Sequence, residues 1–211
     1  MKILMEAINY DKFKWKICGD LKVIALLLGL QQGFTKYCCY ICEWDSRARS
    51  LHYSSKYWPA RKSLEPGIMN VENQLLGEPR KILSSIHLKL GLMKNFVKAM
   101  NKEAAFTYLR EKFPRLSEVE FKEGIFIGPQ IQDRIKNEYF SKLLQRDEKV
   151  ARESSKFVIK GFLGNRRAQN YEELVNNLWQ SHQKLGCNMS LKTHFLHSHL
   201  DFFFPQRIAM Q

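Results

Sequence analysis

Cys39-x-x-Cys42 puts two thiols where one tight turn can aim both at a single ion. Soft sulfur ligands favour zinc, which takes four ligands in a tetrahedron. There is no second Cys-x-x-Cys, so the remaining ligands would have to be histidines, drawn from His52, His87, His194, His197 or His199. Cys38 could stand in for Cys39, because spacing does not separate the two neighbours. The plainer alternative is a group of reduced, partly buried thiols. The stretch THFLHSHL gathers His194, His197 and His199. At helical spacing His194 and His197 share a face while His199 points elsewhere. Such a pair suits a metal or a phosphate contact, and equally the ordinary decoration of an amphipathic helix. Asp20 offers a different chemistry. It stands between the strand-like KWKICG and the apolar LKVIALLLGLQQ, where a carboxylate can ligate Mg2+ or simply cap the helix that follows.

The elements that must position these groups can be read from periodicity. KWKICG (14–19) predicts a short strand, and LKVIALLLGLQQ (21–32), apolar almost all round, predicts a buried helix stopped by Gly33. Strand, acid and buried helix make an α/β unit. From Phe34 to about Pro79 the pattern dissolves into Cys, Trp, Tyr, Ser, Pro and Gly. So long an irregular stretch inside a compact domain needs an ordering agent, and a metal is one. Beyond Pro79 the chain turns helical, with Ile82, Ile86, Leu90, Met93 and Val97 forming one stripe through residues 80–101. His87 lies on that stripe and reads as a core histidine. Further helices are expected over 102–113, over 129–163 ending at Gly164, and over 170–187 with Asn170 and Glu173 as a weakened capping box and Gly186 as the stop. The last, over 190–204, is capped by Ser190.

The 211 residues carry 34 Lys and Arg against 21 Asp and Glu, a net charge of +13. An excess of that size points to polyanions. The local basic groups Arg47/Arg49, Arg61/Lys62 and Arg166/Arg167 are the candidate nucleic-acid contacts. Five cysteines, an odd number, with three in five residues, fit a reducing compartment better than a disulfide framework. The N-terminal stretch lacks signal-peptide features, and LKVIALLLGL is about half the roughly 20 residues a membrane span requires. The expectation is an intracellular protein with no membrane partner.

Taken in order, GDLKVIALLLGLQQGFTKYCCYICEWDSR, IHLKLGLMKNFVKAM and LKTHFLHSHLDFFFP resemble the catalytic region of eukaryotic cut-and-paste DNA transposases, CACTA-like and related. In those enzymes a catalytic Asp precedes a Leu- and Gly-rich helix, a Cys pair follows, a helical insertion opens with a His and an Asn, and a His-bearing helix precedes a final catalytic Glu. The resemblance implies that Asp20 is the second, remnant acid, that Cys39 and Cys42 are the Cys pair, that His87 and Asn95 are the insertion motif, and that His194 with His197 or His199 marks the helix before the final Glu; the expected zinc ligands are Cys39, Cys42, His87, His194 and His197. It implies a mainly α fold with a small β remnant, a fragment of an RNase H-like α/β core carrying a large helical insertion. The expected segments are 1–33 (partial strand–helix unit), 34–79 (Cys-containing, zinc-ordered), 80–189 (helical insertion) and 190–211 (terminal helix and altered C-terminus). It also implies DNA as partner, a homo-oligomer and a nuclear location. Only 19 residues precede Asp20, so Asp11 and Glu6 are available as acids but without room for the family's first strands, and the chain runs QRIAMQ after FFFP where the helix of the final Glu is expected; Mg2+ is expected to bind only if the missing acids were restored. The expected function is a catalytically incomplete, nucleic-acid-binding transposase fragment. Two alternatives stand beside it. One is a host-retained, zinc-ordered DNA-binding module. The other is a helical protein–protein interaction module anchored by Trp15, Trp44, Trp58 and Trp179.

Overall fold

The structure, a computed structural model, describes residues 6–13, 17–18, 20–33, 35–76, 82–83, 86–101, 104–123, 137–164 and 167–203. The described residues are mainly helical and fall into two compact units. The first comprises the chain up to His87 together with Ser198 onward, and the second runs from Leu88 to His197.

The first unit opens with a short helix α1 (Tyr10–Phe13) and a two-residue strand β1 (Ile17–Cys18). Strand β1 pairs in parallel with β2 (Ile82–Leu83), Ile17 opposite Ile82 and Cys18 opposite Leu83. Helix α2 (Leu21–Leu27) follows, with the Asp20 carboxylate accepting the Val23 N–H at 2.8 Å. The strand–acid–helix order is therefore present. The helix is shorter than its apolar run, because Gly29 takes φ +66° and ends it before Gly33. Its released carbonyls are met by the returning chain, Glu72 and Asn73 donating to Gly29 and Leu76 donating to Leu27. That approach is so close that a Cβ on Gly29 would fall 1.9 Å from the Asn73 carbonyl oxygen. Ile24, Leu27 and Leu28 are buried, whereas Val23 and Leu26 stand exposed on the other face of an element expected to be buried all round.

Residues 35–76 contain one 3-10 turn (Arg49–Leu51) and two isolated antiparallel bridges, Leu30 to Val71 and Cys42 to Ala60. Order in this segment comes from side chains. The Arg61 guanidinium donates to the carbonyls of Tyr37 (2.8 Å), Cys39 (3.0 Å) and Met69 (3.1 Å). The His52 ring lies 4.9 Å from that of Trp44 and 6.5 Å from that of Trp58, and its Nε2 donates to the Asp45 carbonyl at 2.8 Å.

In the second unit, α3 (Ile86–Ala99) begins later than its stripe suggests, since Ile82 belongs to β2. An extended residue and a helical one can both supply an apolar side chain at that spacing. Helix α4 (Ala104–Lys112), α5 (Glu118–Lys122), α6 (Glu138–Leu143) and α7 (Arg146–Gly161) follow, the last ending before Gly164. Residues 129–136, expected to be helical, lie outside the described ones. Met93, Phe96, Val97, Met100, Ala105, Leu109, Phe140, Leu144 and Ala151 make this unit's core. Helix α8 (Tyr171–Lys184) packs on α7 and is closed by Gly186 at φ +76°. Asn170 holds the N-cap position, but its side chain bonds Glu173 instead of the backbone. Helix α9 (Leu191–Ser198) runs into a 3-10 turn (Leu200–Phe203), so the expected single helix over 190–204 breaks at His199.

Candidate metal centre

Cys39 and Cys42 sit on a knuckle whose shape is set by backbone bonds. The Ile41 N–H points at Cys39 Sγ (3.4 Å), and the chain after Cys42 is fastened by Glu43 N–H to the Pro59 carbonyl and Arg61 N–H to the Ile41 carbonyl. Both cysteines are buried. His199 enters from the far end of the sequence, its Nε2 lying 3.5 Å from Cys39 Sγ and 3.3 Å from Cys42 Sγ. A ring nitrogen carries at most one hydrogen, so near-equal approach to two sulfurs suits a shared cation better than a hydrogen bond. Zinc bonds of ~2.3 Å to sulfur and ~2.0–2.1 Å to nitrogen, at the tetrahedral angle, separate S and N by about 3.5 Å. Both sulfur–nitrogen distances fit that edge.

The fourth ligand atom comes from His194. One atom each from Cys39, Cys42, His194 and His199 lies within 4.8 Å of all the others, and three of the four residues are buried. In order the ligands read Cys-x2-Cys and His-x4-His, within the spacings usual for a closed structural zinc site. The start of α9 is itself fixed. Asn95 on α3 donates to Ser190 Oγ (3.2 Å) and Thr193 Oγ1 (3.0 Å), and Thr193 N–H is directed at Ser190 Oγ. Asn95 thereby positions the helix that carries His194.

Burial, reinforced by Cys42 alongside, holds the Cys39 thiol well above the usual thiol range. Burial also pushes Cys38 up to about 11, but Cys38 is not a member of the group. Of the two candidates at that step in the sequence, Cys39 is the one directed inward.

Other expected site residues fall elsewhere. His197 is not in the group. It stacks on Trp179 with ring centroids 3.7 Å apart and planes at 15°, a packing role in the second unit. The reason is geometric: α9 ends at Ser198, so the helical angle that set His199 apart from His194 does not extend to it. His87 lies in the first turn of α3, and its side chain is outside the described residues. Asp20 is half-buried and caps α2; it is not one of the metal-competent group. Arg47, Arg49 and Lys62 are exposed, as is Arg167, whose guanidinium lies 4.5 Å over the Tyr171 ring. Arg166 is outside the described residues. Arg61 is half-buried and donates to three carbonyls, which makes it a strut of the knuckle. Trp44 is buried, in keeping with a core role, and Trp58 and Trp179 are half-buried; Trp15 is outside the described residues.

Residues 1–76 match a family model described as a domain of unknown function (DUF8703), and residues 85–164 match a second one, also a domain of unknown function (DUF8704). No curated protein and no solved structure matches the chain. The two matched segments meet close to the boundary between the two compact units.

Proposed function

We propose that this chain is a zinc-ordered nucleic-acid-binding protein acting in the nucleus, in which the metal has a structural role. The observation that carries the reading is the gathering of Cys39, Cys42, His194 and His199 into one buried group of metal-ligand type. Four protein ligands leave zinc no open position for a substrate or water, which is the pattern of structural and not catalytic sites. The metal would hold the knuckle against the end of α9 and order a segment, residues 35–76, that has little regular secondary structure of its own. The net charge of +13 supplies the affinity for a polyanion, with Arg47, Arg49, Lys62 and Arg167 as exposed contacts. Among the described residues no helix is long and apolar enough to cross a membrane.

A second reading, descent from a transposase catalytic region, is favoured by one feature: β1 leads into Asp20, and Asp20 into α2. In that reading the carboxylate has kept its place and now serves as a helix cap, and the chain neither nicks nor joins DNA. Both readings are tested by titrating the zinc-loaded protein with labelled DNA at rising salt. Affinity is expected to fall linearly on a log–log plot and to drop further when the metal is chelated. Affinity indifferent to salt would overturn the polyanion reading, and Mg2+-dependent nicking abolished by Asp20→Ala would overturn the non-catalytic one.

A further inference from the structure

From Ser46 to Leu64 the chain has no Asp or Glu and carries Arg47, Arg49, Lys56, Arg61 and Lys62. Both ends of this loop are fastened beside the cysteine knuckle, through the Cys42–Ala60 bridge and the bond from Glu43 N–H to the Pro59 carbonyl at 2.8 Å. Its inner side is packed by Trp44, His52 and Trp58. Tyr57 goes the other way. It is 84% exposed, more than any other large apolar or aromatic side chain named among the exposed residues, while Trp58 beside it turns inward. The Lys56 ammonium stands 6.0 Å from the Tyr57 ring centroid, and the Tyr57 carbonyl accepts from Ser55 Oγ at 3.1 Å. The ring is thus presented to solvent on an anchored, acid-free basic loop, with the Lys56 ammonium as its partner in the folded chain.

We infer that Tyr57 is a stacking platform for an unpaired nucleobase, with Lys56, Lys62, Arg47 and Arg49 placed to meet the phosphates on either side. The inference rests on the nucleic-acid-binding reading and narrows it to single-stranded nucleic acid. The reason is the accessibility of the base. A π-face can take a ring only from a base that is not already stacked inside a duplex, whereas surface cations attract either form. Charge alone would favour the duplex, which carries more phosphates per unit length. A preference for the single strand therefore has to come from stacking, and the loop has one ring displayed for it.

The test compares binding of a labelled oligothymidylate and a duplex of equal length to the zinc-loaded full chain, for the wild type, Tyr57→Phe and Tyr57→Ala. Because the side chain is exposed, neither substitution should disturb folding, and equal melting temperatures would verify this. The wild type is expected to prefer the single strand, Tyr57→Phe to keep that preference, and Tyr57→Ala to lose roughly ten- to hundred-fold on the single strand with little change on the duplex. Equal losses on both forms, or a duplex preference in the wild type, would overturn the stacking assignment while leaving salt-dependent nucleic-acid binding intact. Displacement by polyglutamate as effective as by oligothymidylate would also overturn it, pointing to an acidic protein instead. No binding of either nucleic acid would overturn the underlying reading as well.

Discussion

Arg61 shows how much one cation in an irregular segment can hold. Its three donations reach Tyr37 and Cys39 on one strand of chain and Met69 on another, so removing it strips hydrogen bonds from three carbonyls at once. Arg61→Gln is expected to lower stability by about 3 kcal/mol in urea titrations and to weaken zinc retention. The neighbouring Lys62→Gln should leave stability unchanged and reduce the salt slope of nucleic-acid binding by about one. In sequence the two look alike, an adjacent basic pair, because composition does not say which cation turns inward. The cysteine pair was legible from its spacing alone. His199 stood among the candidates but could not be chosen over His197, since its membership depends on α9 ending at Ser198, a boundary of the kind that periodicity fixes only to within a few residues. The signal available was the His-x4-His spacing, which lies in the range of zinc sites and outside the i, i+3 pattern of a helix face.

Among the elements, the turn after α2 and the seam between α7 and α8 make the sharpest demands. Gly29→Ala would place a methyl group inside the Asn73 carbonyl and force an L-residue into the left-handed region. A loss of more than about 2 kcal/mol is expected, read as a lowered melting temperature of the full chain. Between α7 and α8, Ser154 Oγ meets Ser181 Oγ (2.6 Å) and Ser155 Oγ meets His182 Nε2 (3.0 Å), all buried. Burial lowers the His182 pKa to about 4, so the folded state resists a proton that the unfolded chain accepts near 6.5. Stability should accordingly be full above about pH 6.5 and decline as pH falls toward 4, by an amount on the order of 3 kcal/mol. Urea midpoints between pH 7 and pH 4.5 should show that slope, and His182→Gln should flatten it. Helices with both a stripe and punctuation, such as α4, α7 and α8, were readable from sequence. What was missed has a physical cause each time: Gly29 acted as the stop because a neighbouring strand of chain sits on it, and Ile82 paired with β1 although its spacing continued the α3 stripe.

At the scale of the molecule, the charge and the helical character were legible, because both follow from composition and period. The placing of Cys39 and Cys42 with His194 was legible in part, from ligand chemistry and the resemblance, but the choice of His199 as the fourth member was not, since no local pattern encodes which of several distant histidines closes the group. A metal offsets the entropy of closing that distance, and it does so only when bound. Chelation should therefore raise amide exchange first across residues 35–76, while the α3–α4–α6–α7 core of the second unit keeps its protection. Simultaneous loss of protection in both would mean that the centre is not local to the knuckle. The account depends above all on which side chains hold the ion, and native mass spectrometry of the purified chain reads this directly. It should find one zinc per chain in the wild type and in His197→Phe, which keeps the ring stacked on Trp179, and none in His199→Gln. A wild type that binds no zinc, or zinc lost with His197 and kept without His199, would contradict it.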